Sequence, residues 1–471
     1  MEMSIDEKSV LRWSHSEFGG LLGIARRDIT PPVGIYARSW GAASHDQAEG
    51  IHRPMSATAL VIRTSSKGDP LVFISMDIGW FRGRDEEWLI RGAILDRFGL
   101  QPENVMIGAT HTHSGPSLFR DDHTKPGGEL IESYLLQLQQ AGLEIVGDAL
   151  ENPFSGTITW AKGSCDLAKN RDLRDPSPDA DRVVTGFNPG AGADETVVVG
   201  RVCGEGGEIR GTLVNYACHP VTLAWENRLL SPDYVGAMRE VVEQYSGNAP
   251  CLFMQGCSGE LAPMEEYVGD CDIADKNGRT LGYAALSALE GMLPPALELV
   301  FDGVVESGAP LAVWRRGKRA VSTDLASVKT SALLPVKDDL PSLGEIEEQL
   351  SLSEDRVTKE RLSRKRAQRI SIGDVESIDA PIWVWLIGEA LFVGQSNECY
   401  SDLQIDLRGR FPDRAVVVMN LVNGGRGYCP PAELFDYDVY QVWQTPMKRG
   451  CLEETIRISG DTAEQLLKNE L

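Results

Sequence analysis

The chain has 471 residues, with 46 Lys+Arg against 69 Asp+Glu and a formal charge of −23. That balance argues against non-specific nucleic-acid binding and against docking on anionic lipid, both of which need clustered Lys and Arg. At 42% hydrophobic and 24% charged residues the composition is that of a soluble globular protein, and the length allows three small domains or one or two large ones.

The start, Met1-Glu-Met-Ser-Ile-Asp-Glu-Lys8, has neither a basic nor an apolar segment, so no secretory signal is expected. No stretch approaches the ~18 apolar residues of a membrane span. Nine cysteines, an odd number without a CxxC pair, argue against a disulfide framework or a four-cysteine zinc knot. The default compartment is the cytoplasm.

After an expected leader over residues 1–19, Leu21 to Asp28 reads as a strand ending in the rigid turn Thr30-Pro-Pro32. Ala57–Arg63 and Leu71–Asp77 are β-rich, with Lys67-Gly-Asp-Pro70 as the turn between them. A helix is predicted over Glu86–Phe98, an apolar strand over Val105–Gly108 and a helix from Gly127 to Leu150. From Gly156 to Tyr216 the pattern changes to short strands joined by Gly-, Asp- and Pro-rich turns. Gly204-Glu-Gly-Gly207 is the clearest hairpin tip; with Ile209 in the third glycine's place and no helix following, it is not a dinucleotide site. Helices return at Tyr234–Tyr245 and Ile273–Leu293, and Val300–Val313 reads as strands. A charged helical excursion at about 340–370 should present a solvated face. Pro381 to Val393 reads as two buried strands broken at Gly388-Glu389. The whole predicts an α/β fold: one large domain over residues 20–460, with central mixed β-sheets flanked by helices.

Chemistry concentrates at strand ends. His111-Thr-His113 directly follows the strand Val105–Gly108, and in extended backbone residues two apart point the same way, so both imidazoles can face one cavity. His219, in Cys218-His-Pro220, ends another strand and offers a third imidazole. Gln255-Gly-Cys-Ser-Gly-Glu-Leu-Ala-Pro263 has small residues that let backbone approach a ligand. Its amides at Gly256, Cys257, Ser258 and Gly259 could hold an oxyanion. It is not a nucleophile elbow, because Glu260 occupies the last glycine's place in GxSxG. Glu398 and Asn423-Gly-Gly-Arg-Gly-Tyr428 follow two further apolar strands; the second reads equally as a tight turn.

These motifs, in this order, resemble the neutral/alkaline non-lysosomal ceramidase superfamily in its N-terminal catalytic domain. The resemblance runs through Asp28-Ile-Thr-Pro-Pro32, Ser75-Met-Asp-Ile-Gly79, Thr110-His-Thr-His-Ser-Gly-Pro116, Cys218-His-Pro-Val221, Ser231-Pro-Asp-Tyr234, Gln255–Pro263, Glu398 and Asn423–Tyr428. It implies one Zn²⁺ held by His111, His219, Glu398 and Tyr428. It also implies a substrate-facing His113 and a substrate-lining Asn170-Arg171 pair, for which a hairpin role is the alternative. Three departures accompany it. The serine proposed as nucleophile in ceramidases aligns with Ala262; the 43 residues after Tyr428 (471 − 428) leave no room for the family's immunoglobulin-like C-terminal domain; and the family's secretory signal is lacking.

The expected activity is zinc-dependent hydrolysis of an amide by a metal-activated water, with His113 moving protons. Asp77 is a candidate to orient one of the ligating histidines, or alternatively a helix cap. The substrate would be a small-molecule or lipid-like amide, with no nucleic acid and no membrane span involved. Alternatives are an ester hydrolase on the same site and a non-catalytic metal-binding relative, which the loss of the serine would favour. A two-metal phosphatase or nuclease is a third, disfavoured for want of a carboxylate-rich cluster.

Overall fold

The computed structural model describes residues 11–468, so residues 1–10 of the expected leader lie outside the described part. An eight-stranded sheet is built from β1 (Ser16–Asp28), β2 (Ser56–Arg63), β3 (Leu71–Met76), β4 (Val105–Ala109), β5 (Phe154–Ser164), β6 (Thr196–Gly204), β7 (Ile209–Tyr216) and β8 (Cys251–Gln255). Their order is β8-β7-β6-β5-β1-β2-β3-β4. β1 begins inside the stretch read as leader. A four-stranded sheet follows in the order β9 (Leu325–Pro335), β10 (Ser377–Ile387), β11 (Ala390–Gln395), β12 (Ala415–Met419).

Strand alternation stacks these sheets between helices. In β2 and β3 nearly every residue is buried, so the period of two shows in which core each side chain joins. Ala57, Ala59, Val61, Val72 and Ile74 pack against α1 (Arg84–Phe98) and α2 (Ile131–Glu151). Leu60, Ile62, Leu71 and Phe73 point the other way, onto Trp383, Trp385 and Phe392 of the second sheet. The far end of the first face is covered by α3 (Tyr234–Tyr245) and α4 (Cys271–Glu290), where Val199 and Val214 meet Met238 and Leu281. On the outer face of the second sheet, Ile378, Ala380 and Ile382 pack with Leu403 and Leu407 of α7 (Asp402–Arg410) and Leu452 of α8 (Cys451–Leu467). The result is a mixed α/β fold in four layers, helix, sheet, sheet, helix.

Two expectations change in detail. The region from Gly156 to Tyr216 holds long strands as well as short ones, because Gly200 lies in mid-strand: the Trp160 ring fills the place of its Cβ, 2.6 Å away, so the glycine makes room and does not turn the chain. The charged excursion is α5 (Leu343–Leu352) and α6 (Arg356–Ile372), but α6 is not wholly a solvated face. Its Glu360 and Ala367 are buried, and Arg364 donates to Tyr440 Oη at 3.2 Å and to the Ser39 carbonyl. Among the described residues no helix is long and apolar enough to cross a membrane.

The topology contains three parallel pairs joined through helices, β3-α1-β4, β7-α3-β8 and β11-α7-β12. Buried polar ties draw them together. Ser75 Oγ donates to the Phe253 carbonyl at 2.6 Å, and Asn215 Nδ2 donates to the carbonyls of Met254 (3.0 Å) and Val418 (2.9 Å). The buried outer edge of strand β4 is clamped by Asn423, which accepts from the Ile107 amide at 2.8 Å and donates to the Val105 carbonyl at 2.9 Å. In β1, a Cβ on Gly23 would lie 1.9 Å from the Ala149 carbonyl of α2. Gly23→Ala should therefore push α2 off the sheet and destabilise the chain by at least ~1–3 kcal/mol, seen as a lower midpoint in denaturant unfolding.

Candidate metal and catalytic site

Four side chains leave the C-terminal ends of these pairs and converge. His111 follows β4, His219 follows β7, Glu398 follows β11 and Tyr428 follows β12. His111 Nε2 lies 3.0 Å from His219 Nε2, and Glu398 Oε2 lies 3.3 Å and 3.2 Å from these two nitrogens. Tyr428 Oη is 3.5 Å from His219 Nε2. One ring nitrogen each of His111, His113 and His219 also falls within 4.8 Å of the others.

Local structure aims each group. His111 has φ 70, so the His-Thr-His stretch is not extended and simple alternation is not what brings its two imidazoles to one cavity. The turn is fixed by the His111 amide donating to the Ile78 carbonyl at 2.9 Å, and the two rings meet edge to face at 4.8 Å. His111 Nδ1 sits 3.2 Å from the Gly79 carbonyl, and His219 Nδ1 2.5 Å from that of Ser258. A proton on each Nδ1, donated to those carbonyls, leaves both Nε2 lone pairs facing the common point. The Glu398 amide donates to the Gly427 carbonyl at 2.9 Å, setting Glu398–Cys399 parallel to Tyr428–Cys429. Behind it, Gln395 donates to Asn420 and to the Asn397 carbonyl, and Asn420 donates to the Cys399 carbonyl; both side-chain amides are buried.

Burial and then the Arg171 guanidinium push His219 down to about 3, so it is neutral. Burial, with His111 and His219 beside it, likewise holds His113 well below the ordinary imidazole range. Burial alone would raise the Glu398 carboxyl, but the adjoining imidazoles hold it well below the carboxylate range. Burial, followed by the Glu398 charge, raises the Tyr428 phenol. Two outward lone pairs, a carboxylate and a phenol around one point are an N/O donor set that suits a divalent cation. Both ring nitrogens of His113 are shut off from solvent and bonded to nothing, so that imidazole is available to a ligand.

The cavity above this point has two lobes that share His113, Arg364, Tyr428, Tyr440 and Gln444. The larger, about 330 Å³, is walled by Trp40, Val221, Trp225 and Tyr267. The smaller, about 80 Å³, is walled by Trp80, Arg82, Gln368 and Arg426, with His111 and Glu398. Of the sequence-predicted residues, Arg171 is brought in: buried, it donates to the Gly259 carbonyl at 2.8 Å and lies 3.3 Å from His219 Nε2 and 3.4 Å from Tyr428 Oη. Asn170 plays the alternative part, its Oδ1 accepting from the Asp172 amide at 2.9 Å to shape a turn.

Two expectations are corrected. Asp77 orients neither histidine. Its oxygens take both ends of the buried Arg239 guanidinium at 2.9 Å and the Ser56 amide at 2.8 Å, and the following helix has no side-chain cap. Three of the four amides proposed for an oxyanion are committed inside the protein: Gly256 donates to the Tyr216 carbonyl, Cys257 to Gln404 and Gly259 to the Cys399 carbonyl. The glycines there serve close packing, since a Cβ on Gly256 or Gly259 would strike Ala217 or the Tyr400 ring. Ser258 stands behind His219, its Oγ 3.1 Å from Nδ1 and accepting from Gln255 at 2.8 Å. Among the described residues Glu398 is the sole carboxylate in hydrogen-bond reach of these imidazoles, which leaves the two-metal reading without its cluster. Sequence reasoning missed Trp40, Trp80, Arg364, Arg426 and Tyr440. Only Arg426 stands in a motif, Asn423–Tyr428, where the tyrosine drew the attention, and Arg364 is one of several charges on an evenly charged helix.

Residues 21–256 match the family described as neutral/alkaline non-lysosomal ceramidase, N-terminal. A neutral ceramidase of Pseudomonas aeruginosa is 25% identical over 277 residues, which is 55% of this chain and 40% of that protein; the aligned part is thus under half the relative's length. Two solved structures share the fold at 17% identity. A ceramidase complexed with C2 superposes with a TM-score of 0.69 over 97% of this chain and 76% of that one, and the neutral ceramidase of Pseudomonas aeruginosa with 0.66 over 97% and 75%.

His219→Ala should weaken metal binding by at least about 100-fold, beyond the loss seen for outer partners, with the far-UV spectrum unchanged; metal analysis of purified protein is the check. Behind the site, burial pushes the Glu260 carboxyl, which accepts from the Ser401 amide at 3.0 Å, up to about 8. The folded state therefore keeps a proton that the unfolded chain releases near pH 4.5, and stability falls as pH rises through 8. Glu260→Gln should flatten that fall by roughly 2–4 kcal/mol, read from denaturation midpoints between pH 5 and 8.5.

Proposed function

The chain belongs to the neutral/alkaline non-lysosomal ceramidase family, and on that footing we propose that it is a zinc-dependent hydrolase that cleaves an amide bond with water. The observation that carries the reading is the meeting of His111 Nε2, His219 Nε2 and Glu398 Oε2 within 3.3 Å, with each imidazole's other nitrogen turned to a backbone carbonyl. His111, His219, Glu398 and Tyr428 would hold the ion. Zinc bound there would supply Lewis acidity and make water a stronger acid.

The chain's own residues supply the remainder. Neutral His113, with no protein partner at Nδ1 or Nε2, takes a proton from the attacking water and passes it to the departing amine. Arg171 directs Nη2 at the same point as Tyr428 Oη and stabilises developing negative charge, the part first assigned to the Gly256–Gly259 amides. Trp40 and Trp80 flank the His113 ring at 5.4 Å and 5.1 Å and keep bulk water from it. Ala262, in the strand Leu261–Pro263, offers no nucleophile, so a covalent serine route through that position is closed.

That alanine is also what favours a second reading, a metal-binding relative without turnover. One experiment separates them. The zinc-loaded chain should hydrolyse N-acyl p-nitroanilides, with ceramide tested beside them, and chelation should abolish turnover that zinc restores. His113→Gln should keep the metal and lose about 10²–10⁴-fold in kcat. A fully loaded chain inert on every amide and ester would leave only the binding reading.

A further inference from the structure

The helical excursion is joined to the molecule as a separate piece. Pro335, the last residue of β9, pairs with Ser377, the first of β10, so residues 336–376 leave and rejoin the second sheet at one point. The Val336 amide donates to the Glu376 carbonyl at 2.9 Å and closes that base. Just beyond it Gly373 has φ 73 with open space where a Cβ would stand, a joint that no side chain obstructs. Ile346 of α5 and Leu362 and Ala367 of α6 are buried, yet none of them belongs to the apolar cores that hold the two sheets; Ile372, beside the base, does touch one.

One face of α6 closes the cavity. Val357, Glu360, Arg361, Arg364, Ala367 and Gln368 recur at helical spacing and line the two lobes. Beneath them His111, His219 and Tyr428 are at most 6% exposed. The larger lobe meets solvent along the edge of α6, where Val357 is 41% exposed beside Gly41. A Cβ on Gly41 would lie 3.3 Å from the Val357 Cα.

Charge and hydrogen bonding fasten that face to the rest of the chain. Arg356 pairs with Asp46 at 2.8 Å, Arg366 with Asp121 at 2.8 Å, and Gln368 donates to the Arg426 carbonyl at 3.4 Å. Arg364 reaches Tyr440 and Ser39, and Lys365 Nζ lies 4.6 Å from the centre of the Trp443 ring. The side chains of the two ion pairs are 30–48% exposed, so salt screens them and each is weak. A piece with one point of attachment, little share in the main cores and weak outer fastenings opens at lower cost than the sheets it covers.

We propose that α5 and α6 form a lid, hinged at the base between β9 and β10, which lifts as its outer ion pairs part and admits a ligand to the lobes over His113. The inference concerns entry, and it holds whether what enters is cleaved or only bound.

Carbethoxylation of neutral imidazole by diethyl pyrocarbonate measures that entry on the purified full-length chain. Trypsin frees His111 and His113 together in the peptide Phe98–Arg120, and the exposed His123 is the internal standard. Labelling of the peptide should rise about three- to tenfold from about 0.05 to about 0.5 M NaCl, and by a similar factor in the Arg356→Gln/Arg366→Gln chain at low salt. In the Gly41→Cys/Val357→Cys chain, the disulfide formed with oxidised glutathione should cut labelling at least about tenfold, and reduction should restore it. Far-UV spectra of every form should match, which separates opening of the lid from unfolding. Labelling indifferent to salt, to the charge change or to the cross-link overturns the lid; should the cysteine chain not fold, salt and the charge change decide alone. Because entry and not turnover is read, a working lid on a chain inert toward every amide sinks the hydrolase reading alone.

Discussion

Holding two imidazole lone pairs and a carboxylate within 3.3 Å of one another, away from water, is the demand that the surrounding structure meets. Left to themselves these groups would rotate apart or exchange protons. Rigidity from outside prevents it: the carbonyls of Gly79 and Ser258 fix the rings, and the Gln395–Asn397–Asn420 amides fix the loop that carries Glu398. These supports are buried, so the donor atoms inherit the stiffness of the strand ends. The proposed cation would complete a set of partners that exists before it arrives.

The layered core explains why the site lies where it does. Each parallel pair needs a helical crossover, and the crossover leaves a free loop at the strand's C-terminal end. Three such units packed side by side give three clusters of loops, and the buried ties from Ser75 and Asn215 hold them in contact. The remote pieces of sequence that carry the histidines, the glutamate and the tyrosine meet because their strands meet.

Much of this was legible in the residues alone. The elements from Ala57 to Phe98 and the helix Tyr234–Tyr245 follow from apolar periodicity, and the strand-end positions of His111, His219 and Glu398 follow from where those strands stop. What was not legible depends on partners distant in sequence. Asp77 looked free to orient a histidine because nothing local reveals Arg239, 162 residues away. The Gly256, Cys257 and Gly259 amides looked free because composition cannot show that Tyr216, Gln404 and Cys399 accept from them. Arg364 was hidden among like charges on a helix whose inward side is chosen by tertiary packing. The family likeness is similarly uneven: the fold superposes over 97% of the chain, while sequence identity in that superposition is 17%.

The order of the donors along the chain bears on biosynthesis. His111 and His219 emerge from the ribosome in the first half of the polypeptide, whereas Glu398 and Tyr428 come in its last quarter, on strands that must find the second sheet. A nascent chain can thus lay down the eight-stranded layer with an unfinished, two-histidine claw. The proposed ion would then load only after the sheets dock, since the half-made claw has neither the carboxylate nor the phenol with which to hold a metal picked up earlier.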